Sequence, residues 1–283
     1  MPAPSPLDQE TEFFRAARDE DILIIREKPH FTQQVNDLNN ISAFGGFLDL
    51  VNQTSEVKAV VALGAPGKTG AQESVDFLRS VIESRREDYL LLRLFNLVNN
   101  FVMTLTGLDK LTVHADQGRV SLFHLGLSLA YDYRIVAEDA VFENAFADLG
   151  MVPKGGAGYF ISRMLGTKKA TEVLQWSRFT AEEALHLGLV DRLVPAADLE
   201  EEVLSLTRMH LKRPVSTLFG IRKLLKSDAN ELARSLALED QIIQTRLNAP
   251  DFKASLAEYQ SCRFLTGQGA EHPDPRKNHT QAS

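Results

Sequence analysis

Short apolar runs alternate with segments of helical periodicity along the first half of the chain. The runs are rich in β-branched residues and are bounded by Gly, Pro or Asp, which is typical of buried strands. Four of them predict strands, at residues 21–29, 57–64, 110–115 and 133–137. The stretches at residues 44–51 and 72–108 carry apolar residues at helical spacing. This alternation predicts an α/β protein in which helices cover the faces of a sheet.

The second half of the chain, from residue 167 onward, predicts successive amphipathic helices with few strands between them. Glycine or proline separates these helices, at Gly188, Pro195, Pro214 and Pro250. The final segment, "GQGAEHPDPRKNHTQAS", has too few apolar residues for a packed core. We therefore predict four parts: an N-terminal extension at residues 1–20, an α/β core at 21–200, a helical C-terminal region at 201–266 and a flexible tail at 267–283.

The composition is that of an ordinary globular protein and narrows the expected partners. Of 283 residues, 44% are hydrophobic and 24% are charged, with a formal net charge of -7. That charge gives the chain as a whole no attraction for nucleic acid or an anionic membrane, so we expect neither partner. The single cysteine, Cys262, excludes an intrachain disulfide. The acidic N-terminus has no signal-peptide pattern, and polar residues interrupt the longest apolar stretch, so we expect a cytoplasmic protein.

A glycine-rich segment follows the second predicted strand. The sequence "ALGAPGKT" at residues 62–69 is similar to a phosphate-binding loop in which Ala62 takes the first position. Such a loop holds phosphates with its backbone amides, here assisted by Lys68. A nucleotide hydrolase would also need an acidic residue at a strand end for Mg²⁺, and Asp132 is the best candidate. The loop therefore supports the hypothesis of a phosphate-loop nucleotide hydrolase.

A much longer pattern lies between residues 127 and 195. Its elements are a small-residue helix that runs into Tyr131-Asp132, the spaced residues Ala140, Phe142, Gly150, Pro153 and Gly156, and a later run ending in "GLVDRLVP". This pattern resembles the enoyl-CoA hydratase/isomerase (crotonase) superfamily. The resemblance covers roughly residues 57–267 and is weaker before residue 110.

The resemblance implies a spiral core of ββα units, a helical C-terminal region used for trimer assembly, and an acyl-CoA thioester as ligand. We therefore expect a homotrimer or a hexamer, with no cofactor beyond coenzyme A as part of the substrate. In this family two backbone N–H groups bind the thioester oxygen, and their positions fall on Ala71 and Phe123. One such preorganised donor contributes about 3 kcal/mol in comparable sites. Lys68, shortly before Ala71, is expected to contact a phosphate of CoA.

The two catalytic glutamates of the family's hydratases are missing from the matching positions. These positions hold Gly126 and Phe146. Hydration of an enoyl thioester needs a general base and a general acid within hydrogen-bond reach, so we do not expect ordinary two-glutamate hydration. The family's glycine run is also replaced, because Phe123 and His124 stand where two glycines are usual.

Three polar residues near these positions are candidates for substitute acid–base chemistry. His124 aligns close to the family's reaction centre, and a packed histidine with one hydrogen bond is the alternative. Glu143 lies near the lost second glutamate, and Lys154 follows Pro153 at a predicted helix start; each could instead be an ordinary surface charge. The seven histidines show no His-x-x-x-His or His-Glu-x-x-His spacing, so we expect no metal site.

Three hypotheses follow. The first is an acyl-CoA enzyme with nonstandard acid–base residues that acts through an oxyanion-hole-stabilised thioester enolate. The second is a crotonase-fold protein that has lost catalysis and serves in binding or assembly. The third is the phosphate-loop nucleotide hydrolase, which competes with the longer pattern for Asp132. The sequence favours the first.

Overall fold

The computed structural model describes residues 5–29, 31–34, 37–67, 70–83, 88–225 and 228–259. Its strands are β1 (Gln9–Glu10), β2 (Phe14–Asp19), β3 (Ile22–Glu27), β4 (Ala59–Leu63), β5 (Leu111–Asp116), β6 (Arg119–Ser121), β7 (Tyr133–Ala137), β8 (Val141–Glu143), β9 (Arg178–Thr180) and β10 (Arg192–Val194). Seven of the described strands form a main sheet in the order β1-β2-β3-β4-β5-β7-β10, and β6, β8 and β9 form a second sheet. The main sheet is parallel from β3 to β10, whereas β1, β2 and β3 pair antiparallel.

Helices connect and cover these strands. Within the described residues they are α1 (Phe31–Gln34), α2 (Leu38–Gln53), α3 (Ala71–Glu83), α4 (Asp88–Gly107), α5 (Leu122–Ser128), α6 (Ala145–Asp148), α7 (Ala157–Val173), α8 (Ala181–His186), α9 (Leu199–Leu211), α10 (Val215–Leu225), α11 (Ala229–Leu247) and α12 (Pro250–Glu258). None of the described helices combines the length and the apolar character needed to cross a lipid bilayer.

The predicted α/β class is confirmed, and β3, β4, β5 and β7 coincide with the four runs predicted as strands. The N-terminal region differs from its prediction. Residues 9–19 were expected to belong to an extension, but they supply β1 and β2 at the antiparallel edge of the main sheet. In β2, exposed Arg15 separates buried Phe14 and Ala16, and Arg18 near the end of the strand is also exposed. These charged positions interrupt the apolar run, which is why the strand's apolar signal is weak.

The centre of the main sheet is buried on both faces. All five residues of β4 are buried, as expected for a parallel strand covered by helices on both sides. On one face, Val61 of β4 and Val113 of β5 pack with Val203 of α9. On the other, Val60 packs with Phe47 of α2. Full burial of such a side chain contributes about 1.5–3 kcal/mol, so this core fixes the carboxyl ends of β3, β4 and β5 relative to one another.

A buried arginine connects helix α10 to the main sheet. Arg222 of α10 donates from Nε to Asp132 Oδ1 at 2.8 Å, and its Nη1 donates to the carbonyl oxygens of Leu108 and Lys110. The other oxygen of the Asp132 carboxylate accepts from the backbone N–H of Thr112 at 2.9 Å. Both charged side chains are about nine-tenths buried, at 9% and 10% exposure. Asp132 therefore serves as a structural anchor for α10.

We expect Arg222→Met to lower the free energy of unfolding by about 3–5 kcal/mol, because it leaves the Asp132 carboxylate buried without its cation. Urea denaturation measures this change. Arg163→Met is the matched control, since Arg163 also pairs with a carboxylate on a C-terminal helix, Glu231, but in a half-exposed position. That variant should lose no more than about 1 kcal/mol. Equal losses in the two variants would contradict the assignment.

Candidate active site

An apolar cavity opens between α3, α4, α11, the starts of α5 and α6, and the segment between α6 and α7. It holds about 610 Å³ of space outside the protein atoms, part of it open to solvent. Leu and Phe side chains of α3 and α4 form much of its wall. Three residues singled out in the sequence meet there: Phe123, Phe146 and Lys154. Glu73 and Ser74, in the first turn of α3, also line it.

Lys154 is buried at the wall of this cavity. The residue is only 5% exposed, which contradicts the expectation that it could be a surface charge. Its Nζ lies 2.8 Å from Oδ1 of Asp240 on α11, donates to Oδ1 of Asn99 on α4, and stands 5.5 Å above the ring of Phe95. Asn99 in turn donates from Nδ2 to Asp240 Oδ2 at 2.7 Å. The cavity therefore contains a cation held in place by partners on two helices.

Two further buried carboxylates belong to this region. Glu239, next to Asp240 on α11, accepts from the backbone N–H of Gly156 at 3.1 Å. Burial raises the pKa of Glu239 to about 7, and the Lys154 cation offsets part of that rise. Glu73 is 8% exposed and lines the same cavity as Lys154. The cavity thus combines an apolar wall with a small group of buried ionisable side chains.

Glu143 lies outside this cavity, at the N-terminus of α3. Its Oε2 accepts from the backbone N–H of Ala71 at 2.9 Å, and Arg119 donates to both carboxylate oxygens at 2.9 and 3.0 Å. Gly70 has a positive φ of 61°, and a Cβ there would lie 2.1 Å from Oε2, so this close approach requires glycine. The Ala71 N–H, expected to face a thioester oxygen, is instead bonded to a protein carboxylate.

The same contact bears on the phosphate-loop hypothesis. Lys68 and Thr69 lie outside the described residues. The first turn of α3, where a helix N-terminus would bind a phosphate, holds the Glu143 carboxylate. Asp132, needed for Mg²⁺ in that hypothesis, is bonded to Arg222 and Thr112. The geometry therefore weighs against a nucleotide phosphate at this loop.

Phe123 and Gly126 lie on α5, whose start faces the cavity. Ser121 caps the helix by accepting from the His124 N–H at 3.2 Å, and Phe123 is its second residue. A backbone N–H at that position has no acceptor within its own helix. At Gly126 a Cβ would lie 3.0 Å from the Lys154 carbonyl oxygen and 3.2 Å from Ala157 Cβ. A glutamate at this position would therefore force α5 away from the start of α7.

His124 points away from this cavity into a second, smaller one. Its Nε2 lies 3.2 Å from Asp116 Oδ2 and 3.9 Å from Glu27 Oε2. His114 lies beside it, with Nδ1 3.5 Å from the same Asp116 oxygen. His124 was expected to act as an acid or base near Phe123 and Phe146. The structure instead places its side chain in a separate buried cluster.

The family model for enoyl-CoA hydratase/isomerase matches residues 94–264. The chain belongs to this family. It is 30% identical to the uncharacterized protein B0272.4 of Caenorhabditis elegans, over 44% of this chain and 45% of that protein. It is 29% identical to EchA17 of Mycobacterium avium, named as a probable enoyl-CoA hydratase, over 59% of this chain and 63% of that protein. The chain thus spans about half the length of these curated relatives.

Solved structures confirm the crotonase fold. The enoyl-CoA hydratase from Bacillus halodurans superposes with a TM-score of 0.75 over 88% of this chain and 100% of its own, at 21% identity. OdaA from Pseudomonas aeruginosa superposes with a TM-score of 0.67 over 87% of this chain and 98% of its own, at 22% identity. At these identities the likeness concerns the fold.

Sequence reasoning missed Glu73 at the cavity and the Glu239 and Asp240 carboxylates beside Lys154. Glu239 and Asp240 lie at helical spacing from Leu236 and Ile243, which are buried residues of α11. Two acids on an otherwise apolar stripe are a signal for a buried polar group, and that signal was available. Glu73 carried a weaker signal, as the acidic residue in the first turn of α3. Asn99 carried none, because its role depends on the packing of α4 against α11.

The raised pKa of Glu239 predicts a specific pH dependence of stability. The folded chain keeps its proton up to about pH 7, whereas an ordinary glutamate releases it near 4.5. Between those values the folded state binds more protons than the unfolded state, so the free energy of unfolding falls as pH rises and stays lower above the window. The full loss is about 3 kcal/mol.

Glu239→Gln keeps an acceptor for the Gly156 N–H and should remove this loss. Urea denaturation at about pH 5 and about pH 8 should therefore show a smaller decrease in Glu239→Gln than in the wild type. Glu172→Gln, an exposed change on α7, is the control and should follow the wild type. Parallel pH curves for all three proteins would show that Glu239 titrates normally.

Proposed function

We propose that this chain binds an acyl-CoA thioester with its acyl group in the cavity beside Lys154. Membership of the enoyl-CoA hydratase/isomerase family supports the ligand class. The predominantly apolar wall, formed by side chains of α3, α4 and α11, suits a hydrocarbon chain. The start of α5 would direct the Phe123 N–H toward the thioester oxygen, in keeping with the resemblance.

One observation carries the proposal for the chemistry: Glu73 and Lys154 are both buried and both line the same apolar cavity. A carboxylate in such a site is suited to remove a proton from the carbon next to a thioester carbonyl and to return it elsewhere. The Lys154 cation, held by Asp240, is suited to stabilise the charge that develops on the enolate oxygen. Glu73 thus takes the acid–base role, and Lys154 the electrostatic one.

The proposed reaction is a proton shift in an enoyl thioester through its enolate. In such an isomerisation one carboxylate accepts a proton from one carbon and donates it to another, so no water is added. This fits a site in which positions 126 and 146 carry Gly and Phe, because hydration would require a second acid–base group. Of the other candidates, Glu143 is paired with Arg119 and His124 lies in a separate cluster.

A second candidate function is a catalytically inactive acyl-CoA binding protein. The observation that favours it is the Glu143 carboxylate on the Ala71 N–H, which removes one of the two donors implied by the family resemblance. Binding in the apolar cavity would be unaffected by that contact. Both candidate functions therefore predict binding of an acyl-CoA, but only the first predicts that the ligand is converted.

Glu73→Gln separates them. Calorimetric titration with crotonyl-CoA should give a similar affinity for the wild type and Glu73→Gln, since the shape of the side chain is retained. In an isomerase assay with a series of enoyl-CoA chain lengths, kcat should fall about 10²- to 10⁴-fold. The control is Glu172→Gln, in which the affinity for crotonyl-CoA and kcat should both stay at wild-type values. Full turnover by Glu73→Gln would overturn the assignment, binding without turnover by the wild type would favour the inactive protein, and absence of binding would exclude both.

Lys68 is proposed to contact a phosphate of CoA. In the same titrations Lys68→Ala should weaken CoA binding, and the effect should shrink as salt is added because salt screens the attraction between an ammonium group and a phosphate. ATP with Mg²⁺ should compete with CoA poorly. If ATP binds more tightly than CoA, the phosphate-loop hypothesis returns.

We further propose assembly as a homotrimer or a pair of trimers through the C-terminal helices. Six of the large exposed hydrophobic side chains lie on α9, α10 and α11: Met209, Ile221, Leu224, Leu225, Leu238 and Ile242. Exposed apolar surface that forms a contiguous patch marks an interaction site. Sedimentation equilibrium should give three or six times the mass of one chain, and a concentration-independent monomer would contradict the assembly.

A further inference from the structure

A cluster of four buried ionisable side chains lies at the carboxyl ends of the central parallel strands. Glu27 ends β3, His114 and Asp116 lie on β5, and His124 lies on α5. All four are at most 9% exposed. The surrounding side chains are mainly apolar or aromatic, including Ile25, Phe31, Phe44, Phe101 and Leu127.

The geometry of the cluster is that of a set of metal ligands. One ligand atom each from Glu27, His114 and His124 lies within 4.8 Å of the other two. Asp116 Oδ2 is 3.2 Å from His124 Nε2 and 3.5 Å from His114 Nδ1. In a tetrahedral site with bonds of about 2.0–2.1 Å, neighbouring ligand atoms stand about 3.4 Å apart. Shifts of about an ångström in the side chains would therefore close the set around an ion.

We propose that Glu27, His114 and His124 bind a divalent transition-metal ion of the zinc class, with Asp116 orienting the His114 imidazole from its Nδ1 side. Two imidazoles and a carboxylate are a ligand set suited to Zn²⁺, Co²⁺ or Fe²⁺, and a carboxylate that holds a ligating histidine is a regular companion of such sites. The divalent charge balances the two carboxylates in a region of low dielectric constant. A fourth coordination position would face the small cavity that these residues line.

The site is distinct from the proposed acyl-CoA cavity. Phe123 lines the larger cavity and His124, its neighbour on α5, lines the smaller one. The inference does not depend on the proposed function, because it rests only on the positions of the four side chains. The sequence spacing could not reveal it, since the ligands come from β3, β5 and α5.

Metal binding to the untagged wild-type chain tests the proposal. After removal of metal with a chelator, the chain should bind one equivalent of Zn²⁺, measured by elemental analysis after gel filtration, and its melting temperature should rise. Co²⁺ should give the visible absorption bands of four- or five-coordinate cobalt with nitrogen and oxygen ligands. These readouts use the wild type and need no variant to fold.

His114→Asn and His124→Asn should each abolish the stoichiometric binding and the cobalt bands. His186→Asn, in the exposed last turn of α8, is the matched control and should retain both. The proposal is overturned if the wild type binds no stoichiometric Zn²⁺. It is also overturned if the bound metal and the thermal shift survive both cluster variants, because the ion would then lie elsewhere.

Discussion

The ion pair between Lys154 and Asp240 is the interaction on which the candidate site depends. An isolated ammonium group in an apolar interior would cost several kcal/mol, and removal of one partner leaves the other without compensation. The pair sits 2.8 Å apart, and Asn99 bonds to both members. Because these three residues belong to the segment before α7, to α11 and to α4, the pair links α4 and α11 at the cavity and places a positive charge on its wall.

A second buried carboxylate lies outside the cavity, at the start of α3. Glu143 links Arg119 to the backbone at the start of α3, and Gly70 permits the contact because any side chain there would collide with the carboxylate. The helix dipole and the arginine both favour a negative charge at this point. The chain thus keeps the family fold and carries buried carboxylates at positions 73, 143, 239 and 240.

The sequence predicted the fold class and the central strands because buried parallel strands leave continuous β-branched runs, as in β4. Three residues that the family resemblance singled out, Phe123, Phe146 and Lys154, line one cavity. The sequence could not predict which way side chains face. Phe123 and His124 are neighbours yet enter different cavities, and Lys154 is buried only because Asp240, distant in sequence, lies opposite it. Such partners depend on tertiary packing, which a periodic pattern does not encode.

The central claim is that the cavity walled by Phe123, Phe146 and Lys154 receives the acyl group of a CoA thioester. A crystal structure of the chain with a bound enoyl-CoA measures this directly. The account predicts the hydrocarbon chain among the side chains of α3, α4 and α11, with the thioester oxygen within hydrogen-bond reach of the Phe123 N–H. A thioester bound elsewhere, with the cavity closed by the Phe123 ring, would contradict it.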